Sequence, residues 1–175
     1  MEKPSKVVRW TIPLLILLIS ALLAFQVLTI QVGTTKYRRG NIDEALLWLR
    51  VAVVLNPFST SAKNMLASVL LRKEEVEKAE IIIKRNLNAN PNDPRAHNVM
   101  GMILERKGKQ ADAIDEYRKA IKLNPNLAEA HMNLGVLLLK QGFTKEGLDE
   151  IDKAVQIAPE LESEREKIMD ALHFP

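Results

Sequence analysis

Cysteine is absent from the 175 residues, which excludes disulfides, a catalytic thiol, thiolate zinc sites and a cysteine-linked lipid anchor. It leaves the compartment open, since a cysteine-free chain suits an oxidising or a reducing one. Between Arg9 and Lys36 there is no Asp, Glu, Lys or Arg at all. No run of five or six like charges occurs, and the formal net charge is only +3. A nucleic-acid partner is therefore not indicated.

Apolar residues make up 47% of the chain, ample for a core in a protein of this length. They are unevenly spread. Residues 11–30 read TIPLLILLISALLAFQVLTI, which as a helix would be roughly 30 Å long, the thickness of a bilayer's hydrocarbon core. Trp10 and Tyr37 bracket the run as interfacial aromatics, with Arg9 before the first and Lys36, Arg38 and Arg39 around the second. Pro13 falls in the first turn, where its missing N–H does least harm. A cleaved secretory signal is the competing reading, favoured by Lys3, Lys6 and Arg9 and by a cut after Ala24. Leu22 fits poorly two positions before such a cut, and apolarity continues through Val32. The expectation is an uncleaved single span over residues 10–32, preceded by a short basic tail of residues 1–9. The basic flanks are nearly balanced. Discounting Arg38, for the reason given below, places the N-terminus in the cytoplasm and the larger part outside it.

A fixed period organises the remainder. Pro57, Pro91, Pro125 and Pro159 are 34 residues apart each time, the first three in the contexts LNPF, ANPN and LNPN. Ala45, Ala79, Ala113 and Gly147 keep the same period, as do Gly33, Ala67, Gly101 and Gly135. A further column, Gly40, Gly108 and Gly142, is broken by Glu74. Within one unit, Ala96, Val99, Met100, Ile103 and Leu104 recur at helical spacing and Gly108 ends the run. Ala113, Ile114, Tyr117, Ala120 and Ile121 then mark a second helix, stopped by Asn124 and Pro125. Gly101, Ala113 and Ala120 let the two helices approach closely. One such hairpin cannot bury its apolar face alone, so neighbours must stack.

These residues resemble the tetratricopeptide repeat family, whose 34-residue unit has small residues at its eighth, twentieth and twenty-seventh positions and proline at its thirty-second. The resemblance covers residues 26–161, as units 26–59, 60–93, 94–127 and 128–161. It is close in the last two and looser in 60–93, where Asn86 replaces a small residue and Glu74 the loop glycine. Gly147 replaces the expected alanine, which should soften its helix by up to about 1 kcal/mol. The resemblance implies an all-α fold: a transmembrane helix continuing, to about residue 39, into a right-handed α-solenoid of about four helical hairpins. Residues 162–175, with Ile168, Met169 and Leu172 at helical spacing, read as a cap over the last hairpin. Because the first unit begins at Gln26, its first helix overlaps the span. No Pro, Ser or Gly-rich linker separates the two, so one continuous helix is expected.

Chemistry is sparse. His97 and His131 lie one repeat apart, which as stacked hairpins means roughly 10 Å, too far for both to ligate one metal ion at about 2.1 Å each. Packing is the better reading. No nucleophile, base and acid cluster, phosphate loop or carboxylate pair has a recognisable spacing, so neither an enzyme nor a cofactor is expected. The resemblance instead places ligands on the concave face formed by first helices. Asn64, Ser68, Asn98, Met102, Glu105, Met132 and Val136 are the contact candidates, and the basic column Arg72, Arg106 and Lys140, with Arg38, could dock an acidic group. A basic residue near a helix C-terminus is also favoured by the helix dipole, which accounts for Arg38 independently. The family's carboxylate clamp is not matched, since Ile30 and Thr34 stand in the first repeat. Two function classes follow: a membrane-anchored scaffold or assembly factor that binds a protein or peptide, and an accessory subunit of a larger membrane complex, for which Ser20 and Ala24 offer a small-xxx-small pair.

Overall fold

The computed structural model describes residues 6–171, with side chains from residue 14 onward. The side chains of Trp10 and Pro13, residues 1–5 of the expected basic tail, Leu172 and the last residues of the expected cap lie outside the described residues, while residues 6–9 of that tail belong to the first helix. The chain divides into two compact units, residues 1–69 and 70–175.

In the first unit, α1 (Lys6–Arg38) is one unbroken helix of 33 residues, about 50 Å long. It contains both the uncharged run and the residues that pack on α2 (Ile42–Leu55). The two helices are antiparallel. Lys36 pairs with Glu44 at 2.5 Å near the turn, and further down a Cβ on Gly33 would stand only 2.8 Å from Leu49 Cγ. Ala45, Leu49 and Ala52 are fully buried on the inner face of α2. Thr29, also buried, satisfies its hydroxyl by donating to the Gln26 carbonyl at 2.7 Å. From Leu14 to Leu28 the apolar side chains of α1 are largely exposed, and this helix is long and apolar enough to cross a membrane. α3 (Thr60–Arg72) begins in this unit and ends in the second.

The second unit continues with α4 (Val76–Ala89), α5 (Pro94–Arg106), α6 (Gln110–Leu123), α7 (Ala128–Lys140) and α8 (Thr144–Ile157). A 3-10 turn (Pro159–Leu161) leads into α9 (Glu162–Ala171). Each helix from α4 to α8 packs on the next. Tyr117, fully buried, fills the α5–α6 interface because Gly101 has no side chain: a Cβ there would come within 2.5 Å of the ring. A core of Ala113, Ile114, Tyr117, Leu134, Leu137 and Leu138 then joins α6 to α7. At the far end Ile168 and Met169 of α9 pack against Met132, Leu139, Ile151 and Ala154, as expected of a cap.

Two local devices repeat. Each first helix ends with a residue in the left-handed region: Gly40 at φ 80°, Glu74 at 61°, Gly108 at 73° and Gly142 at 86°. Around each, the next residue's N–H reaches back to the fifth carbonyl before it, as from Lys109 to Leu104 (2.9 Å) and from Glu75 to Leu70 (2.9 Å). The same backbone is therefore imposed where glycine is missing. The second helices α2, α4 and α6 end on Asn, whose side chain accepts from the N–H two residues on: Asn56 from Phe58, Asn90 from Asn92 and Asn124 from Asn126. This is why Asn-Pro recurs with the period.

Asn86, at a position kept small elsewhere, is fully buried and donates from Nδ2 to Asp93 Oδ2 at 3.2 Å. Asp93 Oδ1 in turn accepts from the N–H groups of Arg95 and Ala96. The departure from a small residue thus holds the N-cap of α5 in place.

Gly147 has a structural cause as well. A Cβ there would meet the Gly135 carbonyl oxygen at 2.9 Å and Leu139 Cγ at 2.8 Å, so α7 and α8 touch backbone to backbone. Gly147→Ala gains about 1 kcal/mol of helix propensity but loses about 1 to 3 kcal/mol to overpacking, and should lower the denaturant midpoint. Glu74→Gly relieves a left-handed residue costing about 1 to 2 kcal/mol, partly offset by glycine's unfolded-state entropy, and should raise it. Inserting four Gly and Ser residues after Gln31 should detach Gly33 from Leu49 and make the region up to Pro57 sensitive to protease; an insert mutant as resistant as the parent would show that α1 need not be continuous.

Candidate functional site

α5 and α7 are successive first helices of the second unit and lie side by side. A polar ladder ties them. Asn133 Nδ2 donates to Asn98 Oδ1 at 3.0 Å, and Lys140 Nζ donates to Glu105 Oε1 at 2.9 Å. Glu105 also accepts the Tyr117 hydroxyl at 3.2 Å. Burial, and then the neighbouring Glu105 carboxylate, push the Tyr117 phenol well above its usual range, so it stays a neutral donor.

The candidate contact residues fall into two groups. Asn98 and Met132 are buried, at 8% and 4% exposure. Asn98 serves the ladder and Met132 the core beneath α9. Met102, Glu105 and Val136 are half-buried, while Arg106 and Lys140 are exposed. These five, with half-buried Asn133, form the accessible surface of the α5–α7 face. In the first unit Asn64 is buried at 5%, and its carbonyl accepts the half-buried Ser68 hydroxyl at 3.1 Å. Arg38, Arg72, Arg106 and Lys140 are all exposed, and each stands in the last turn of its helix, where a cation complements the helix dipole. Asn133 escaped sequence reasoning because the ladder connects residues 35 apart, one off the repeat.

His97 and His131 make the same pair of bonds one repeat apart. His97 Nδ1 lies 2.6 Å from Glu116 Oε2 and its Nε2 2.8 Å from the Pro91 carbonyl. His131 Nδ1 lies 2.5 Å from Glu150 Oε2 and its Nε2 2.9 Å from the Pro125 carbonyl. A carbonyl only accepts, so each Nε2 donates. Both ring nitrogens are thereby engaged, and each histidine fastens its first helix to the second helix of its hairpin and to the preceding turn. Lys119 and Lys153 complete the pattern at 2.6 and 2.7 Å from the same carboxylates. The shallow cavity beside His97, about 400 Å³, is walled by Leu87, Met100, Leu104, Asp112 and Glu116.

Burial pushes the Glu116 carboxyl upward, but the bonds from His97 and Lys119 outweigh it and hold it below its ordinary 4.5; Glu150 is lowered likewise, against burial, by Lys153 and His131. Glu80, bonded by Lys107 and then Lys84, is held down to about 2. A carboxylate depressed in the folded state contributes stability that is complete above its unfolded value and fades as pH falls through its folded one. Stability should therefore decline from about pH 4.5 towards pH 2, and Glu116→Gln with Glu150→Gln should flatten that acid limb, measured by denaturant unfolding across this range.

Family comparison agrees with the architecture. A tetratricopeptide repeat model matches residues 33–94 and a TPR repeat model residues 103–142, together more than half of the chain. Among solved structures, a thermophilic TPR protein from Thermus thermophilus superposes with a TM-score of 0.73 at 20% identity, covering 84% of this chain and 82% of that one. The pilF protein of Pseudomonas aeruginosa gives 0.64 at 22% identity, over 87% and 77%. MamA from Desulfovibrio magneticus RS-1 gives 0.55 at 20% identity, over 77% and 76%. At these identities the likeness concerns the fold. No curated protein matches the chain. The 34-residue period, the left-handed turn residue after each first helix, the small residues at the hairpin crossings and the two family matches agree: the chain belongs to the tetratricopeptide repeat family.

Proposed function

We propose that this protein is a membrane-anchored scaffold or assembly factor that binds a partner protein on the α5–α7 face, rather than a catalyst. The observation that carries the reading is the make-up of that face: half-buried Met102 and Val136 beside exposed Arg106 and Lys140. Adaptable apolar contacts and cations on rigid helices suit an extended peptide with acidic groups. The anchor is α1, whose apolar side chains from Leu14 to Leu28 stay largely exposed, an arrangement that is costly in water and favourable in lipid. The orientation with the N-terminus in the cytoplasm is supported by Lys3, Lys6 and Arg9 before the run, and by Arg38 in the last turn of α1, where the helix dipole accounts for it independently. The alternative, a permanent accessory subunit, draws on the same exposed helix and would co-purify stoichiometrically in mild detergent.

Glutamate at Asn98 or Met132 would enter the core and unfold the hairpin, so the face is tested at its exposed members. Arg106→Glu with Lys140→Glu should weaken partner binding about tenfold or more, equivalent to about 1.4 kcal/mol. The loss of stability should stay within about 1 kcal/mol, since one exposed ion pair is removed. A photo-crosslinker at Met102 should trap one partner polypeptide in the native membrane, whereas one at exposed Lys122 on α6 should trap none. Equal crosslinking from both positions would move the site off this face.

A further inference from the structure

Charge is divided unequally along the chain. On the far side of the apolar run, residues 31–69 hold five basic and two acidic residues, a net of +3, whereas residues 70–175 hold seventeen basic and nineteen acidic, a net of −2. No acidic residue occurs between Glu44 and Glu74. In this unit the outer side of α2 is charged at its start, where Asp43, Glu44 and Arg50 are exposed, and apolar toward its end. Leu47 is 63% exposed, Val54 77% and Phe58, in the turn after α2, 88%.

The register of α1 against α2 says where these residues lie. Gly33 meets Leu49, and α2 runs back toward the apolar end of α1. Leu55, six residues beyond Leu49, sits about 9 Å lower, level with about Val27. Phe58 follows in the turn, three residues past that level, and the neighbouring apolar part of α1 is open too, with Leu22, Leu23, Phe25 and Val27 about half exposed. Arg50, one residue past Leu49, is exposed about a turn higher, and Lys63 is in the first turn of α3. Apolar side chains below and cations above match the layering of a membrane surface with anionic headgroups.

We infer that the end of α2 and the turn after it are a second membrane-contacting element, with Val54 and Phe58 seated in the interfacial layer and Arg50 and Lys63 facing anionic headgroups. The inference rests on α1 being the anchor. It places the bilayer boundary near Val27 rather than Val32, leaving residues 10–26, about 25 Å of helix, to cross the hydrocarbon. The first hairpin is then held at two points, which fixes its tilt on the membrane.

Because the chain has no cysteine, single spin labels can be placed without other changes at Ile19→Cys, Phe58→Cys and Arg39→Cys, all exposed positions. The full chain is reconstituted in vesicles of phosphatidylcholine with phosphatidylglycerol, and accessibility to oxygen is compared with accessibility to a water-soluble nickel chelate. The expected order of the oxygen-to-nickel ratio is highest at position 19, intermediate at 58 and lowest at 39. A label at 58 as nickel-accessible as that at 39, with 19 still deep, overturns the second contact and leaves the anchor standing. A nickel-accessible label at 19 overturns both. A label at 58 reached by neither reagent marks a protein neighbour, and overturns the bilayer as the occupant.

Discussion

Close approach of paired helices is the constraint on which this structure depends. At each described crossing a missing side chain admits a partner: Gly33 admits Leu49, Gly101 admits the Tyr117 ring, and Gly135 and Gly147 bring two backbones together. A hairpin closed this tightly buries small residues on its inner seam and leaves larger ones, such as Ile114, Leu137 and Leu138, to form the interface with the next hairpin. Tight crossings and stacking are thus two consequences of one distribution of side-chain volume.

The turns then determine where each helix stops. The left-handed residue after every first helix and the proline after every second are short-range devices, yet they must recur with the same period or the small residues would lose their register. Glu74 shows how strongly the surroundings impose the geometry, since it adopts a conformation that suits glycine. Asn86 shows the opposite accommodation, in which a polar residue at a small position is absorbed by bonding to the Asp93 cap.

Polar side chains divide between internal ties and what remains for binding. His97 with Glu116 and His131 with Glu150 close their own hairpins, and Glu105 joins Tyr117 to Lys140. Buried groups of this kind must be paired, because an unpaired one costs its full desolvation. Recognition is left to side chains that stay partly or fully exposed. In the first unit the same logic runs in reverse: apolar side chains of α1 from Leu14 to Leu28, with Leu47, Val54 and Phe58, stay exposed.

The sequence by itself determined the helical hairpins and the family, because a 34-residue period of Pro, Gly and Ala is a record of local geometry repeated. It also located the apolar run and its continuity with the first helix, since nothing in residues 26–39 could act as a linker. Tertiary structure alone decided which candidate groove residues are accessible. Asn98 and Met132 occupy positions that face a groove by periodicity, but a ladder reaching residue 133 and a capping helix beyond residue 161 enclose them. It alone decided that Gly147 is required for packing, because the neighbour that excludes a methyl group is the Gly135 backbone, twelve residues away. And it alone showed Val54 and Phe58 exposed: which side of a largely apolar helix is left uncovered depends on the crossing of two helices, and no single helix's pattern encodes that.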